Sequence, residues 1–221
     1  MPRRFTVLGF ALNLVFTAGT VQAAPILSPV AATASSTFPG FPIANTINHS
    51  GLLTDFTSGV TDFDAYLATN PLHSRDVPNE WFSAEPSTSA VVTYDLGTLF
   101  SVDRLSLWNE NGVGIDSFNV LFSADGIAFS PAVSGLSPTD SPFDSDYPAQ
   151  VFNLGIGSAR FVRLDITSCP QPGSPRTFCG IGEVAFAVGA PTAVPEPATL
   201  ILLGTGLAAV ARRRFTKRHV A

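Results

Sequence analysis

Short apolar segments that alternate with polar positions recur along the middle of the chain and predict β-strands. Within residues 159–166, the side chains of Val162, Leu164 and Ile166 share one face of the predicted strand. Similar segments lie at 90–96, 102–108, 118–122, 151–154 and 184–188, and a turn at 124–126 leads into another at 127–129. No helical periodicity is present between them. The pattern predicts an all-β fold, an antiparallel jelly-roll β-sandwich.

An apolar segment without a polar face precedes this region. Residues 5–18 follow Arg3 and Arg4, and small or modest side chains come next up to Ala23. This order predicts a signal peptide over residues 1–23, cleaved before Ala24. The alternative is an amphipathic first helix, which needs the polar face that the segment lacks.

A second apolar segment, residues 198–211, follows the body of the chain. It comes after Pro195-Glu196-Pro197 and stops at Arg212-Arg213-Arg214. We predict a transmembrane helix over about 197–214, with the arginines on the cytoplasmic side and the body outside. A full span needs about 20 residues, which the segment reaches only if the arginines extend to the membrane surface. The alternative is a buried core helix, which seldom carries three consecutive arginines.

The order of these parts resembles a known sorting signal. Pro195, Glu196 and Pro197, then an apolar helix, then Arg212, Arg213 and Arg214 resemble the PEP-CTERM signal of Gram-negative bacteria. The resemblance implies that the protein crosses the inner membrane and is transiently anchored there by its tail. It also implies that an exosortase-type membrane protease removes the tail, so that the body reaches the cell surface or the exopolysaccharide matrix. The predicted domains are 1–23 (signal peptide), 24–192 (β-sandwich) and 193–221 (sorting signal).

The body of the chain is strongly acidic. Residues 24–192 hold sixteen of the 17 acidic residues but only five of the 12 basic ones, a net charge of about −11. Such a surface repels phosphate backbones, so nucleic acid is excluded as a partner.

Six short motifs in the body resemble the discoidin or F5/8 type C family, in the order that this family shows. They are residues 44–48 (Ala-Asn-Thr-Ile-Asn), 80–83 (Glu-Trp-Phe-Ser), 92–97 (Val-Thr-Tyr-Asp-Leu-Gly), 122–126 (Phe-Ser-Ala-Asp-Gly), 159–164 (Ala-Arg-Phe-Val-Arg-Leu) and 182–184 (Gly-Glu-Val). The resemblance implies a galactose-binding-like jelly roll. Its members usually bind carbohydrates, lipids or protein surfaces through loops at one end of the sandwich.

The same resemblance implies a structural Ca²⁺ site, where an early Asp-Gly loop meets the closing Glu. Here Glu183 takes the place of the closing Glu, while Asn48 replaces the Asp and removes one charged ligand. Asp62 and Asp64 lie in a nearby loop and are predicted to restore the charge, since Ca²⁺ prefers several oxygen ligands. The alternative is that these acids are solvated loop residues.

Cys169 and Cys179 are the only cysteines, and they flank a proline-rich segment. In an exported protein we expect them to form a disulfide. The alternative is a metal-binding or redox pair, but the spacing is not Cys-x-x-Cys and no histidine is near.

No sequence motif of catalysis is present, and we predict that the protein is not an enzyme. Trp81 and Trp108 adjoin strands, so we assign them to the core in preference to a sugar-stacking surface. The polar turn Asn109-Glu110-Asn111 is the better ligand-binding candidate, and a solvated turn is its alternative.

Three functions remain open. The first is a surface-sorted module that binds carbohydrate or matrix polymer. The second is a structural matrix or coat protein without a defined ligand, which would bind no glycan despite normal sorting. The third is a secreted hydrolase, which would need an acid–base pair in a cleft.

Overall fold

The computed structural model describes residues 24–76 and 78–189. The predicted signal peptide, apolar helix and sorting signal lie outside these residues. The strands of the described part are β1 (Ile26–Leu27), β2 (Ala31–Ala34), β3 (Leu72–His73), β4 (Trp81–Phe82), β5 (Ala90–Asn109), β6 (Ser117–Ser123), β7 (Ser130–Leu136), β8 (Tyr147–Ser168) and β9 (Gly180–Gly189). A 3₁₀-helix covers Ile43–Ile47, and helix α1 covers Phe63–Leu67.

The strands form one antiparallel sheet that supplies both layers of a sandwich. Its order is β1-β9-β5-β8-β6-β7, and the short strands β2, β3 and β4 pair with β5, β8 and β9. The predicted all-β antiparallel fold is confirmed.

Strands β5 and β8 each cross from one layer to the other. Residues 92–95 of β5 pair with β2, whereas residues 101–109 pair with β9. We call the corner where the two strands cross, at residues 96–100 and 154–158, the bend end. The loops 110–116, 137–146 and 169–179 lie at the opposite end of the sandwich, which we call the loop end.

These crossings explain why the predicted strands were too short. The segments predicted at 90–96 and 102–108 are one strand, and those at 151–154 and 159–166 are another. Gly97 and Gly155 have φ angles of 87° and 70°, and each lies beside a break in the strand register. Glycine at such positions indicates a β-bulge as readily as a turn. The strand predicted at 127–129 was misplaced, because β7 begins at Ser130.

Alternating apolar side chains from both layers fill the core. As predicted for residues 159–166, Val162, Leu164 and Ile166 are buried. Trp81 and Trp108 are also fully buried, which confirms their assignment to the core.

Strand β9 is buried on both faces. Val184 and Phe186 face the main core, whereas Ala185 and Ala187 face a second cluster that contains Trp108. Helix α1 covers this second cluster and buries its Phe63 and Tyr66. A helix of five residues is too short to leave a periodic pattern, which is why the sequence did not predict it.

Candidate functional site

A cleft of about 290 Å³ opens at the loop end. Three loops line it: the β5–β6 loop, the β7–β8 loop and the β8–β9 loop. Its lining consists of Asn111, Gly112, Asp140, Ser141, Phe143, Gln171, Pro172, Gly173, Ser174 and Pro175. The lining thus combines one aromatic ring with amide, hydroxyl and carboxyl groups.

Phe143 exposes its ring in this cleft. The side chain is 71% exposed, which is unusual for a large apolar group. A Cβ atom at position 112 would lie 3.0 Å from the Phe143 ring, so Gly112 lets the ring approach the backbone of the β5–β6 loop. The ring therefore has one side against the protein and leaves much of its surface available to a ligand.

Gln171 is a buried polar residue that lines the same cleft. Its side chain is 4% exposed, and its Oε1 atom has no hydrogen-bond partner among the described residues. The backbone N–H of Gln171 donates to the carbonyl oxygen of Gly114 at 2.9 Å, which fixes the β8–β9 loop against the β5–β6 loop. An unpartnered buried amide oxygen costs free energy unless a ligand or water donates to it.

The predicted ligand residues Asn109, Glu110 and Asn111 are buried rather than solvated. The side chain of Asn109 bonds both backbone groups of Ile115, with distances of 2.8 and 3.0 Å. One carboxyl oxygen of Glu110 accepts from the backbone N–H groups of Gly112 and Val113. Asn109 and Glu110 therefore hold the loop in shape.

Asn111 alone of these three residues lines the cleft. Its Nδ2 donates to the carbonyl oxygen of Ser145 at 3.0 Å, which ties the β5–β6 loop to the β7–β8 loop. Phe143 and Gln171 were not among the predicted site residues. The signal that could have identified Phe143 is its position as a lone aromatic residue within the polar segment Asp-Ser-Pro-Phe-Asp-Ser. Nothing in the sequence marks Gln171.

The segment around Asn48 meets the closing strand as the resemblance implies. The backbone N–H of His49 donates to Oε2 of Glu183 at 3.0 Å. Glu183 is fully buried, its Oε1 has no partner among the described residues, and burial raises its pKa well above the usual value. Asn48 accepts from the N–H of Ser50 through its Oδ1 atom.

The structure does not bring Asp62 and Asp64 to Glu183. Asp62 caps helix α1 by accepting from the N–H of Ala65 at 2.7 Å, and Asp64 pairs with Arg104. Arg104 lies opposite Ala187 of β9, which is four residues, or about 13 Å, along the strand from Glu183. In the described residues no group of three acidic, histidine or cysteine side chains is placed to hold a metal ion. Calcium binding stays a prediction, and Asp62 and Asp64 do not fit it.

His49 connects three segments near this point. Its ring nitrogens bond Oγ of Ser28 and Oδ1 of Asp55, the latter at 2.6 Å. The order hydroxyl, imidazole, carboxylate is that of a hydrolase triad. However, Ser28 is buried and the side chain of Asp55 is 70% exposed, the reverse of what that chemistry needs, and neither residue lines the cleft. We infer that the His49 ring has a structural role and holds the segments of Ser28 and Asp55 together.

The predicted disulfide between Cys169 and Cys179 is present, with a Cα–Cα distance of 5.1 Å. Both cysteines are buried at the base of the β8–β9 loop. The disulfide closes the loop that supplies half of the cleft lining.

No helix in residues 24–76 and 78–189 has the length and apolar character needed to cross a bilayer. The helix predicted at 197–214 lies outside these ranges.

Comparisons with known proteins give different matches for the tail and for the body of the chain. Residues 193–214 match the family model described as the PEP-CTERM protein-sorting motif. No curated protein matches the chain. Two similar solved structures are truncated AlyQ with its CBM32 and alginate lyase domains, and CBM32-3 from a family 31 glycoside hydrolase of Clostridium perfringens.

Both structures resemble the body in fold at low sequence identity. The AlyQ match has a TM-score of 0.50 at 19% identity and covers 76% of this chain but 35% of AlyQ. The Clostridium match has a TM-score of 0.50 at 10% identity and covers 75% of this chain and 92% of the module. The protein therefore combines a CBM32-like, discoidin-like β-sandwich with a PEP-CTERM sorting motif at residues 193–214.

Proposed function

We propose that this protein is exported, anchored transiently by its tail, and displays a non-catalytic domain that binds carbohydrate through the cleft at the loop end. The observation that carries the proposal is the exposed Phe143 ring in a cleft that Gln171 also lines, with a buried Oε1 that has no partner among the described residues. The fold is that of modules named for carbohydrate binding, which agrees with this function.

The chemistry of the cleft suits a sugar. The C–H face of a pyranose ring packs on an aromatic ring, and sugar hydroxyls both donate to and accept from amide groups. Phe143 supplies the ring, and Gln171, Asn111 and Ser141 supply polar partners. A volume of about 290 Å³ is at the lower end for ligand sites, which suits one or two sugar units at the end or edge of a polymer.

The lining argues for binding without hydrolysis. Most glycoside hydrolases need two carboxyl groups that flank the scissile bond. Of the residues that line the cleft, Asp140 alone carries a carboxyl group.

Sorting depends on the tail. In this proposal an exosortase-type protease recognises Pro195-Glu196-Pro197, and Arg212-Arg213-Arg214 hold the other end of the apolar segment at the cytoplasmic side of the inner membrane. The domain boundaries at residues 23 and 192 belong to the same proposal. Cleavage would release the body to the cell surface or the extracellular matrix.

The test compares the unaltered protein with Phe143→Ala for retention on immobilised polysaccharides. The proposal expects the unaltered protein to bind at least one polysaccharide and Phe143→Ala to lose most of that binding. Leu53→Ala is the control, because Leu53 is exposed outside the cleft and its loss should change nothing. Equal retention of both variants, or no binding to any polysaccharide, would contradict the proposed site.

Calcium is a separate proposal that centres on Glu183. Of the four residues predicted to bind Ca²⁺, Glu183 and Asn48 remain as candidates. Glu183 would supply its unpartnered Oε1, and the neighbouring loop of Asn48 would supply further oxygen atoms. Added Ca²⁺ should raise the melting temperature, a chelator should reverse the rise, and Glu183→Gln should abolish it. An unchanged melting temperature would remove calcium and leave the carbohydrate proposal standing.

A further inference from the structure

Five exposed aliphatic side chains surround the bend end of the sandwich. They are Val30, Val60, Leu99, Ile127 and Ile156, and each exposes between 39% and 86% of its surface. Nine large apolar side chains are exposed in the described residues, and two of the other four lie toward the loop end. These two are Phe143 and Leu53, whose N–H donates to the carbonyl oxygen of Leu72, opposite Pro148 at the start of β8. These five side chains come from five separate segments of the chain, and the fold brings them to one end of the sandwich.

The pairing of the strands places these side chains at one end. Leu99 and Ile156 lie in the two segments that define the bend end. Val30 is beside Gly97, where a Cβ atom would lie 3.4 Å from the valine methyl carbons.

The remaining two side chains lie in turns at the same end. Ile127 lies in the turn that follows Ser123, and Ser123 pairs with Phe161 of β8. Val60 follows Gly59, whose N–H donates to the carbonyl oxygen of Ile26 in β1, opposite Ala187 near the end of β9.

Three arginines lie in the strands that lead to the bend end, and two of them are paired with acidic side chains. Arg160 forms two bonds of 2.9 Å with Asp95, and Arg104 pairs with Asp64. Arg163 lies with its guanidinium 3.7 Å from the ring centroid of Phe129. Asp95 and Asp64 offset two of these charges, so the exposed aliphatic side chains are the feature that distinguishes the bend end.

The tail leaves the domain at this end. Gly189, the last residue of β9, pairs with Ser101 of β5, next to the bend. Only eight residues, 190–197, separate Gly189 from the apolar segment at Ala198, and they span at most about 30 Å when extended. The bend end is therefore the part of the domain that the tail holds nearest to a membrane.

We propose that the bend end rests on the lipid bilayer while the tail is inserted, with its five aliphatic side chains in the interfacial layer. The inference depends on the membrane anchoring in the proposed function. Its consequence is a fixed orientation, because β9 runs for about 30 Å from the loop end to the bend end. The cleft then faces away from the membrane, toward polymer outside.

The test uses the full chain in vesicles of phosphatidylethanolamine and phosphatidylglycerol. Ile127→Cys and Ile156→Cys are each labelled with the environment-sensitive dye NBD, and Leu53→Cys is the matched control at the loop end. The two native cysteines are joined in a disulfide, so the introduced thiol is the one that reacts. We expect a blue shift and brighter emission at positions 127 and 156 in vesicles, and no change at position 53.

Vesicle flotation separates the two levels of the proposal. If the chain floats with the vesicles but emission at 127 and 156 is unchanged, anchoring stands and docking of the bend end is wrong. If the chain does not float, anchoring is wrong and the inference falls with it. A shift that grows with protein concentration in the absence of lipid would identify a second copy of the chain as the partner and overturn the bilayer proposal.

Discussion

The missing side chain at Gly182 makes room for the hydroxyl group of Tyr147 in the second core cluster. A Cβ atom at position 182 would lie 2.4 Å from Oη of Tyr147. The Tyr147 side chain is fully buried, so it cannot move aside into solvent. We expect Gly182→Ala to lower the free energy of unfolding by about 1–3 kcal/mol, as overpacking usually does. Gly189→Ala in the same strand is the control, because a Cβ atom there would lie 3.9 Å from its nearest neighbour. Equal urea midpoints for both variants would contradict this packing.

Glu80 is a buried acid whose carboxyl oxygens have no partner among the described residues. Burial, with a smaller contribution from Glu110, raises the pKa of Glu80 from 4.5 to about 8. Between these values the folded protein keeps a proton that the unfolded chain has lost, so stability falls as the pH rises. Burial lowers the pKa of His73 from 6.5 to about 4, which has the opposite effect, but only below pH 6.5.

The direction in which Glu80 changes the stability with pH can therefore be tested between pH 6.5 and 8. We expect the free energy of unfolding to fall over this range, with Glu80 contributing a slope of up to about 1.4 kcal/mol per pH unit. Glu80→Gln should flatten the dependence, and the remainder should come from Glu110 and Glu183, whose pKa values burial also raises. A pH profile from urea unfolding that is the same in both proteins would contradict the raised pKa of Glu80.

Single residues show where sequence reasoning fell short at the site. The segment Asn109-Glu110-Asn111 has the composition of a solvated turn, but its side chains bond backbone groups across the loop and become buried. Whether a polar side chain satisfies its own loop or faces solvent depends on contacts between distant segments. Gln171 illustrates the same limit, since only the folded β8–β9 loop buries it.

Among the elements, strand identity was easier to predict than strand length. Alternation found the central parts of β5, β6 and β8, because each has one face on the main core, whereas β9 is buried on both faces and appeared as a short apolar run. The bulges at Gly97 and Gly155 were mistaken for strand ends, since both use glycine in a left-handed conformation. Two-residue strands such as β4 carry no periodicity at all and depend on pairing with β9.

The β8–β9 loop depends on its disulfide for its shape. Replacing both Cys169 and Cys179 with alanine should lower the free energy of unfolding by about 2–3 kcal/mol, because the unfolded chain gains conformational entropy when a loop of this length is no longer closed. Because Gln171 and residues 172–175 line the cleft, the same variant should bind polysaccharide more weakly at a temperature where it remains folded. Unchanged affinity in the folded double variant would show that the loop does not contribute to the site.

At the level of the whole molecule, body and tail were separable from sequence alone. Six short motifs in order predicted the sandwich, and the sequence from Pro195 to Arg214 predicted the sorting motif, which the family model matches. The cleft could not be predicted, because three loops that are distant in sequence form it only when β5 and β8 cross between the layers.

Sorting provides a prediction at this scale. Replacing Pro195-Glu196-Pro197 with three alanines should leave export intact and prevent removal of the tail, because the motif lies just outside the apolar segment, where a membrane protease can reach it. Immunoblots of membrane and surface fractions with an antibody to the body should show a larger, membrane-retained form. A variant of normal size at the normal location would contradict the role of the motif.

Hydrogen–deuterium exchange in the presence and absence of a bound polysaccharide tests the central claim most directly. We expect slower exchange of backbone amides in the β7–β8 loop around Phe143 and in the β8–β9 loop around Gln171, with unchanged exchange at the bend end. Protection that falls on the bend end or on the outer faces of the sheet, with the loop-end segments unchanged, would contradict the proposed cleft.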